Sequence, residues 1–211
     1  MTVLGAYLPD HDHAVLWADS EVFRWDGTAT GRHVRKMAVN SVAGVLGAGA
    51  GWGDIAGAGD QIVHRAKSLD DAVHLLPGAL RQASTQSLNL AWPRPETFVN
   101  CCYIAVGWSA ASCRTLVWRF DAASFFVPIV AAMTLAPMVD APRAPSCEGG
   151  VLELAERQMQ LLQDEAGQAG AGHLTIATLS PNGIALRLHR DFFTPKATAD
   201  VLPLQLAEAA E

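Results

Sequence analysis

The sequence has little charge and no long apolar run, and each shortage excludes a class of protein. Asp, Glu, Lys and Arg make up 17% of the 211 residues, and the net charge of −6 is spread without runs. This charge balance argues against the basic face that nucleic-acid binding requires, and we expect no nucleic-acid partner. No window approaches about 18 consecutive apolar residues, so we expect no membrane span. The N-terminus has no basic region followed by an apolar stretch, which predicts a cytoplasmic protein without a signal peptide.

Cysteine is also scarce, and its spacing carries no metal signal. The four cysteines are Cys101, Cys102, Cys113 and Cys147, with no CxxC or Cys/His ligand pattern. The first two are adjacent on an apparent strand, so we expect them to point to opposite faces. Buried free thiols, no metal and no cofactor are predicted. The segment His11-Asp12-His13 could bind a metal weakly, but a solvated hairpin turn is the preferred interpretation.

Hydrophobic residues, in contrast, are abundant and predict one sizeable core. They make up 50% of the chain, which suits a single domain over residues 1–196, followed by a C-terminal helix or tail over 197–211. A surface with so little charge and six Trp residues indicates that other subunits cover part of it. We therefore expect a homo-oligomer.

The order of periodic segments is strands, two helices, strands, a helix, strands. Apolar runs and turn signals predict strands at residues 3–8, 14–18, 33–39, 42–46, 98–106, 115–120, 124–130, 173–179 and 184–189. Helices are predicted at residues 52–67, 69–90 and 151–166, while residues 131–142 form an apolar connector that we leave unassigned. Several strands are nearly apolar throughout, which is typical of strands covered on both faces. The pattern alone supports an α+β fold with mixed sheets.

Thr2 is the most informative residue of the chain. Removal of Met1 is favoured by a small second residue, and it would leave Thr2 at the N-terminus, with a hydroxyl nucleophile and an α-amine that can serve as the base. Asp19 ends the second predicted strand, and Lys36 follows on a mostly apolar strand. A Lys cation beside the Thr hydroxyl would stabilise its alkoxide, and a carboxylate would hold that Lys in place. These three residues are the candidate catalytic set.

A glycine-rich segment follows the predicted strand at residues 42–46. Gly47 and Gly49 could supply backbone N–H groups to a developing oxyanion, because no Cβ blocks the approach. Close packing of a strand against a helix would explain the same glycines. The run Gly51-Trp52-Gly53-Asp54-Ile55-Ala56 also matches Gly-x-Gly-x-x-Gly/Ala. A dinucleotide site would need a parallel strand soon afterwards, where a second helix is predicted instead.

In its first third the chain resembles the N-terminal-nucleophile (Ntn) hydrolases, specifically the proteasome β-subunit and its bacterial relatives. The resemblance implies a four-layer α-β-β-α sandwich and a threonine-type peptidase or amidohydrolase that acts on peptides. It implies catalytic roles for Thr2, Asp19 and Lys36 and an oxyanion loop at Gly47 and Gly49. It also implies a ring or stacked rings of identical subunits, and leaves an ATPase partner open.

The later part of the chain departs from the family pattern. A Gly-Ser-Gly-Gly-like turn is expected before the third helix, where this chain has Ser146-Cys147-Glu148-Gly149-Gly150. Glu148 takes the place of the expected Ser, and Ser146, two residues earlier, is the candidate accessory residue. The alternative interpretation is therefore a catalytically inactive proteasome-like subunit that acts as a structural or interaction protein.

Overall fold

A computed structural model describes residues 2–23, 29–89, 95–141, 144–145, 148–166, 172–190 and 192. The strands are β1 (Leu4–Tyr7), β2 (Ala14–Asp19), β3 (Glu21–Phe23), β4 (Ala29–His33), β5 (Met37–Asn40), β6 (Val45–Ala50), β7 (Cys102–Ser109), β8 (Arg114–Asp121), β9 (Pro128–Ala131), β10 (Met133–Ala136), β11 (Leu174–Ser180) and β12 (Gly183–His189). The α-helices are α1 (Gly53–Arg65), α2 (Leu69–Asn89) and α3 (Glu148–Ala166), and short 3-10 helices span Pro95–Asn100 and Ala122–Ser124. No helix within these ranges is both long and apolar enough to span a membrane. The predicted C-terminal segment 197–211 lies outside the described residues.

The first sheet has the strand order β10-β1-β2-β11-β12, and all its neighbours are antiparallel. The chain therefore enters the fold through a strand with a partner on each side. In the register of this sheet Leu4 lies opposite Ala18, and Asp19 lies opposite Leu174. Residues just before β1 are thus held beside the end of β2.

The second sheet has the order β5-β6-β7-β8-β9, again antiparallel, and β3 with β4 forms a separate two-stranded sheet. The two large sheets face each other across an apolar layer. Leu16 and Ala177 contribute to it from the first sheet, and Leu46 and Ile104 from the second. Small side chains such as Ala6 and Ala48 also lie in this layer, so the sheets can approach closely.

Helices pack against both large sheets. Side chains of α1 and α2, including Ile55, Val63 and Leu76, pack against β7 and β8 of the second sheet. Residues of α3, including Met159, pack against β1, β2 and β11 of the first sheet. The adjacent Cys101 and Cys102 belong to the helix-facing core and the inter-sheet core respectively, which confirms that they point to opposite faces.

The expected α+β fold, a four-layer α-β-β-α sandwich of the Ntn-hydrolase type, is wrong for this chain. The described residues are mostly β-structure in three antiparallel sheets, with only three α-helices. One reason is the apolar connector predicted over residues 131–142, which instead contains β10, an edge strand of the first sheet. A second reason is the hairpin β3–β4, which forms a third sheet of its own, while α3 alone covers the outer face of the first sheet.

Candidate functional site

Thr2 lies where the chain enters the first sheet. It is only 9% exposed. The next residue, Val3, both donates a hydrogen bond to Asp19, at the end of β2, and accepts one from it. The backbone N–H of Val3 donates to Asp19 Oδ1 at 2.8 Å, and the backbone N–H of Asp19 donates to the Val3 carbonyl at 3.0 Å. These two hydrogen bonds fix Thr2 beside Asp19.

Asp19 is the buried anion of the site. Its residue is 1% exposed, so its charge has been removed from water and needs compensation from within the protein. Oδ2 accepts hydrogen bonds from Lys36 Nζ at 2.9 Å and from the Glu21 backbone N–H at 3.2 Å. Together with the Val3 N–H on Oδ1, three donors stabilise the ionised carboxylate.

Lys36 joins Asp19 to Thr2. Its ammonium nitrogen Nζ donates to Thr2 Oγ1 at 3.2 Å as well as to Asp19 Oδ2, and the side chain is 14% exposed. A cation at this distance from a hydroxyl oxygen would stabilise negative charge on it. Lys36 therefore contacts each of the other two predicted catalytic side chains, and the catalytic roles of all three remain a prediction.

The β3–β4 hairpin explains how distant parts of the sequence bring Lys36 to Asp19. The hairpin starts two residues after Asp19 and ends three residues before Lys36, with Glu21 opposite His33. The Val34 N–H then donates to the Ser20 carbonyl at 2.9 Å, and Ser20 Oγ bonds His33 Nδ1 at 2.9 Å. The segment that carries Lys36 is thus fastened back onto the residue after Asp19.

Gly47 and Gly49 lie on β6, and their missing side chains make room for helix α1 and the ring of Tyr103. A Cβ on Gly47 would lie 2.7 Å from Val63 Cγ2, and a Cβ on Gly49 would lie 2.6 Å from the Ala56 Cβ. Close packing therefore accounts for both glycines. An oxyanion role for their backbone N–H groups remains a prediction.

Sequence reasoning did not single out the conformation of Gly51. This residue follows β6 with φ of +99°, and a Cβ there would lie 2.8 Å from the Cys101 backbone. Both observations require glycine at this position. The turn directs the Trp52 N–H to Cys101 Sγ at 3.3 Å and leads into α1.

The acidic residues of α1 serve the packing of that helix. Asp54 Oδ2 accepts a hydrogen bond from Ser87 Oγ of α2 at 3.1 Å. Asp60 Oδ1 accepts one from the Tyr103 hydroxyl at 2.8 Å. Burial raises the pKa of Asp60 above its ordinary value of 3.8, although the Tyr103 hydrogen bond opposes the shift.

The predicted accessory residue Ser146 lies outside the described residues. Glu148, which takes the place of the expected Ser, is the first residue of α3. Its carboxylate pairs with Arg187 Nη1 at 2.6 Å and with His189 Nε2 at 2.7 Å. These contacts attach the start of α3 to the edge strand β12.

A cleft of about 340 Å³ is lined by sequence neighbours of Asp19 and Lys36, although Thr2, Asp19 and Lys36 themselves are not among its lining residues. Two of its lining residues, Ser20 and Arg35, are the sequence neighbours of Asp19 and Lys36. The remaining lining residues come from the end of β4 and from β11 and β12: His33, Val34, His173, Thr175, Leu186, Arg187 and Leu188. Sequence reasoning missed this cleft, because neither periodicity nor a motif marks side chains that meet only through strand pairing.

Two other sequence interpretations lose support from the geometry. A dinucleotide site would need a parallel strand soon after α1. The next described strand, β7, instead pairs antiparallel with β6. In the turn that carries His11, the His13 imidazole pairs with Asp10 at 2.8 Å. Asp10 Oδ1 also accepts the backbone N–H groups of Asp12 and His13, as in an ordinary solvated turn.

The chain matches no model of a known protein family, and no curated protein has a significantly similar sequence. The function must therefore be argued from the geometry of the site.

Proposed function

We propose that this protein is a threonine-type N-terminal-nucleophile peptidase or amidohydrolase, with Thr2 as the nucleophile once Met1 has been removed. One observation carries the proposal. Lys36 Nζ donates to both Thr2 Oγ1 and Asp19 Oδ2, and both oxygens belong to residues that are almost fully buried. A structural Lys has little reason to leave water for this position, whereas a nucleophile needs a fixed cation beside it.

The proposed reaction uses these groups in the following order. Thr2 Oγ1 attacks the carbonyl carbon of a peptide bond while the α-amine of Thr2 takes its proton. The Lys36 ammonium stabilises charge on Oγ1, and Asp19 holds the ammonium in place. The tetrahedral intermediate expels the amine product, which receives the proton, and leaves an ester on Thr2. Water then hydrolyses this ester and regenerates the hydroxyl.

The oxyanion of the intermediate needs a hydrogen-bond donor. Pairing between β5 and β6 ends with Met37 opposite Ala48. Continued by one residue, this register sets Gly49 opposite Lys36, whereas Gly47 lies deeper in the sheet, opposite Ala38. Of the two predicted glycines, Gly49 is therefore our preferred donor.

The alternative is an inactive subunit with a structural or interaction role. It is favoured by Glu148, whose carboxylate is engaged by Arg187 and His189 where the family pattern has a Ser. A retained Met1 would have the same consequence, because the nitrogen of Thr2 would then be an amide and could not accept a proton.

Mass spectrometry with a covalent inhibitor tests the proposal. The intact mass should show loss of Met1, and a peptide epoxyketone should add its mass once, at Thr2. Thr2→Ala is the matched control, because Ala is also small enough for Met1 removal but has no hydroxyl. A processed wild-type protein that stays unlabelled, or labelling that persists in Thr2→Ala, would contradict the proposal.

We also propose that the hydrolase acts on peptides in the cytoplasm as a homo-oligomer, in a ring or stacked rings, with an ATPase partner left open. Apolar side chains exposed on and before the edge strand β9 support assembly, namely Phe125, Val127, Ile129 and Val130. Light scattering should give a multiple of 22.4 kDa. A strict monomer at micromolar concentration would refute assembly without affecting the chemistry.

A further inference from the structure

We propose that the cleft beside Lys36 binds the carboxylate side chain of a substrate residue next to the cleaved amide, and that it prefers glutamate. The inference rests on the proposed function, because it assigns a substrate class to the same site. Ser20 and Arg35 of the cleft directly adjoin Asp19 and Lys36 in the sequence, so their Cα atoms are about 3.8 Å from those of the predicted catalytic residues. A substrate residue spans a similar distance, about 3.3 Å when extended.

The cleft concentrates basic groups in an acidic protein. The chain has a net charge of −6, yet two arginines and two histidines line this one cleft. The imidazoles of His33 and His173 are stacked, with ring centroids 4.5 Å apart. Carboxylates, the natural ligands of such a cluster, are missing from the described lining.

Arg35 is the group best placed to bind an anion. Arg187 is already paired with Glu148 at 2.6 Å, so part of its charge is neutralised. Arg35 has no carboxylate within ion-pair distance among the described residues, and its side chain is exposed. Arg35 also acts on Asp60 at longer range, where its charge partly opposes the rise in the pKa of that carboxyl caused by burial. An exposed guanidinium without a carboxylate partner can bind the carboxylate of a ligand with two parallel hydrogen bonds.

The polar base of the cleft is held in a fixed geometry. Ser20 Oγ bonds His33 Nδ1 at 2.9 Å and accepts the His173 backbone N–H at 3.2 Å. The first contact holds the His33 imidazole, and stacking on this ring holds the His173 imidazole, so the cleft is formed before a ligand arrives. A preformed site loses less entropy on binding than a mobile one.

The opposite wall of the cleft distinguishes glutamate from smaller anions. Leu186 and Leu188 lie on the edge strand β12 and are 44% and 52% exposed. The two methylene groups of a glutamate side chain would cover these leucines while its carboxylate reaches Arg35. A phosphate or sulfate ion would leave the leucines in water, and aspartate has one methylene fewer.

Binding can be measured without turnover in the Thr2→Ala protein. We would titrate it calorimetrically with acetyl-Ala-Ala-Glu-Ala-amide and with the same peptide carrying Gln, which has the same shape but no charge. We expect the Glu peptide to bind at least about fivefold more tightly than the Gln peptide, because hydrogen bonds to a charged group contribute more to binding than those between neutral groups. Equal affinities, or no measurable binding of either peptide, would overturn the inference.

Arginine variants locate the preference. Arg35→Gln in the same background should reduce the Glu-to-Gln ratio to near one. Arg114→Gln is the control, because it removes the same charge from the exposed start of β8. The backbone N–H of the next residue, Thr115, donates to the His11 carbonyl, which lies before the start of β2, whereas Asp19 lies at its end. A preference that survives Arg35→Gln, or that is lost in Arg114→Gln, would refute the assignment.

Hydrolysis of the same two peptides by the wild-type protein, followed by mass spectrometry, separates the two proposals. Cleavage next to Glu in preference to Gln is the expected result. Cleavage of both at equal rates, with equal binding, would remove the acidic preference and leave the hydrolase proposal in place. Tight binding of the Glu peptide without any cleavage would remove the hydrolase and keep the anion site.

Discussion

Replacing Lys36 tests both the chemistry and the electrostatics of the site. Lys36→Met keeps a long unbranched side chain but leaves Asp19 without its cation. The Asp19 carboxylate is 1% exposed, so water cannot replace the lost partner. Turnover should disappear, and the protein should also become less stable, because a buried charge is left uncompensated.

The structure sets the size of this loss. Removal of one partner of a buried ion pair typically costs about 3–5 kcal/mol. Asp19 would keep the backbone N–H donors of Val3 and Glu21, and Lys36 is 14% exposed, so we expect about 2–4 kcal/mol in the free energy of unfolding. With a denaturant slope of about 2 kcal/mol/M, the urea midpoint should fall by about 1–2 M.

A double-mutant cycle isolates the interaction between the two side chains. Asp19→Asn alone should cost less than Lys36→Met, because Lys36 is nearer to water. The double variant should be more stable than the sum of the single losses predicts, by about 1–3 kcal/mol. A loss below about 0.5 kcal/mol in Lys36→Met, which is typical of surface pairs, or strict additivity, would refute the reasoning.

Three further predictions concern groups outside the site. Gln158 is fully buried and serves Trp17 Nε1 and the carbonyls of Leu4 and Pro137. Gln158→Leu should therefore cost at least about 3 kcal/mol in the free energy of unfolding measured with urea, at about 1–3 kcal/mol for each of the three groups left without a partner, while Gln160→Leu on the same helix should cost under about 0.5 kcal/mol. The raised pKa of Asp60 means that its ionised form is disfavoured in the folded state, so wild-type stability should fall relative to Asp60→Asn as the pH rises above 3.8. Equal pH profiles of the two proteins would contradict this. Burial raises the pKa of Cys101 and of Cys102 to about 11. In a Cys147→Ser protein, Ellman's reagent should therefore modify the exposed Cys113 rapidly, and it should modify Cys101 and Cys102 only on unfolding. Rapid modification of all three cysteines in the native protein would contradict this prediction.

Local patterns predicted the elements of this fold better than their arrangement. The helices at residues 52–67, 69–90 and 151–166 are confirmed to within a few residues by α1, α2 and α3. Apolar runs and helix signals depend on neighbours along the chain, so one sequence is enough to identify them. The layer arrangement depends on which strands pair, and that information is not local.

The strands β9 and β10 illustrate the limit. Pro128 begins β9, which lies almost entirely in the strand predicted at residues 124–130, whereas Pro137 directly follows β10, which lies in the connector 131–142 that we left unassigned. Edge strands tolerate proline because one side of the strand forms no ladder, and both strands are sheet edges, in different sheets. Prolines in or next to an apolar segment weaken a strand prediction, but they are compatible with edge strands such as β9 and β10.

The candidate site divides in the same way. Thr2, Asp19 and Lys36 could be selected from residue types and spacing, and the structure brings them into contact. His33 and His173 could not, because they meet only after β2 has paired with β11 and the β3–β4 hairpin has folded back. The glycines of β6 were ambiguous in the sequence, since a close backbone approach to a helix and to a reacting group both require the absence of a Cβ.

The site draws its parts from both large sheets, and this gives a distant arginine a role in its alignment. Thr2 and Asp19 belong to the first sheet, whereas Lys36 leads into β5 of the second. The apolar layer between the sheets holds them together but has no directional preference. Arg119 of β8 crosses this layer and donates to Thr134 Oγ1 at 2.8 Å and to the Leu135 carbonyl at 2.7 Å, both on β10. Because these bonds are directional, we expect them to oppose sliding of the sheets, and so to help keep Lys36 Nζ at 3.2 Å from Thr2 Oγ1.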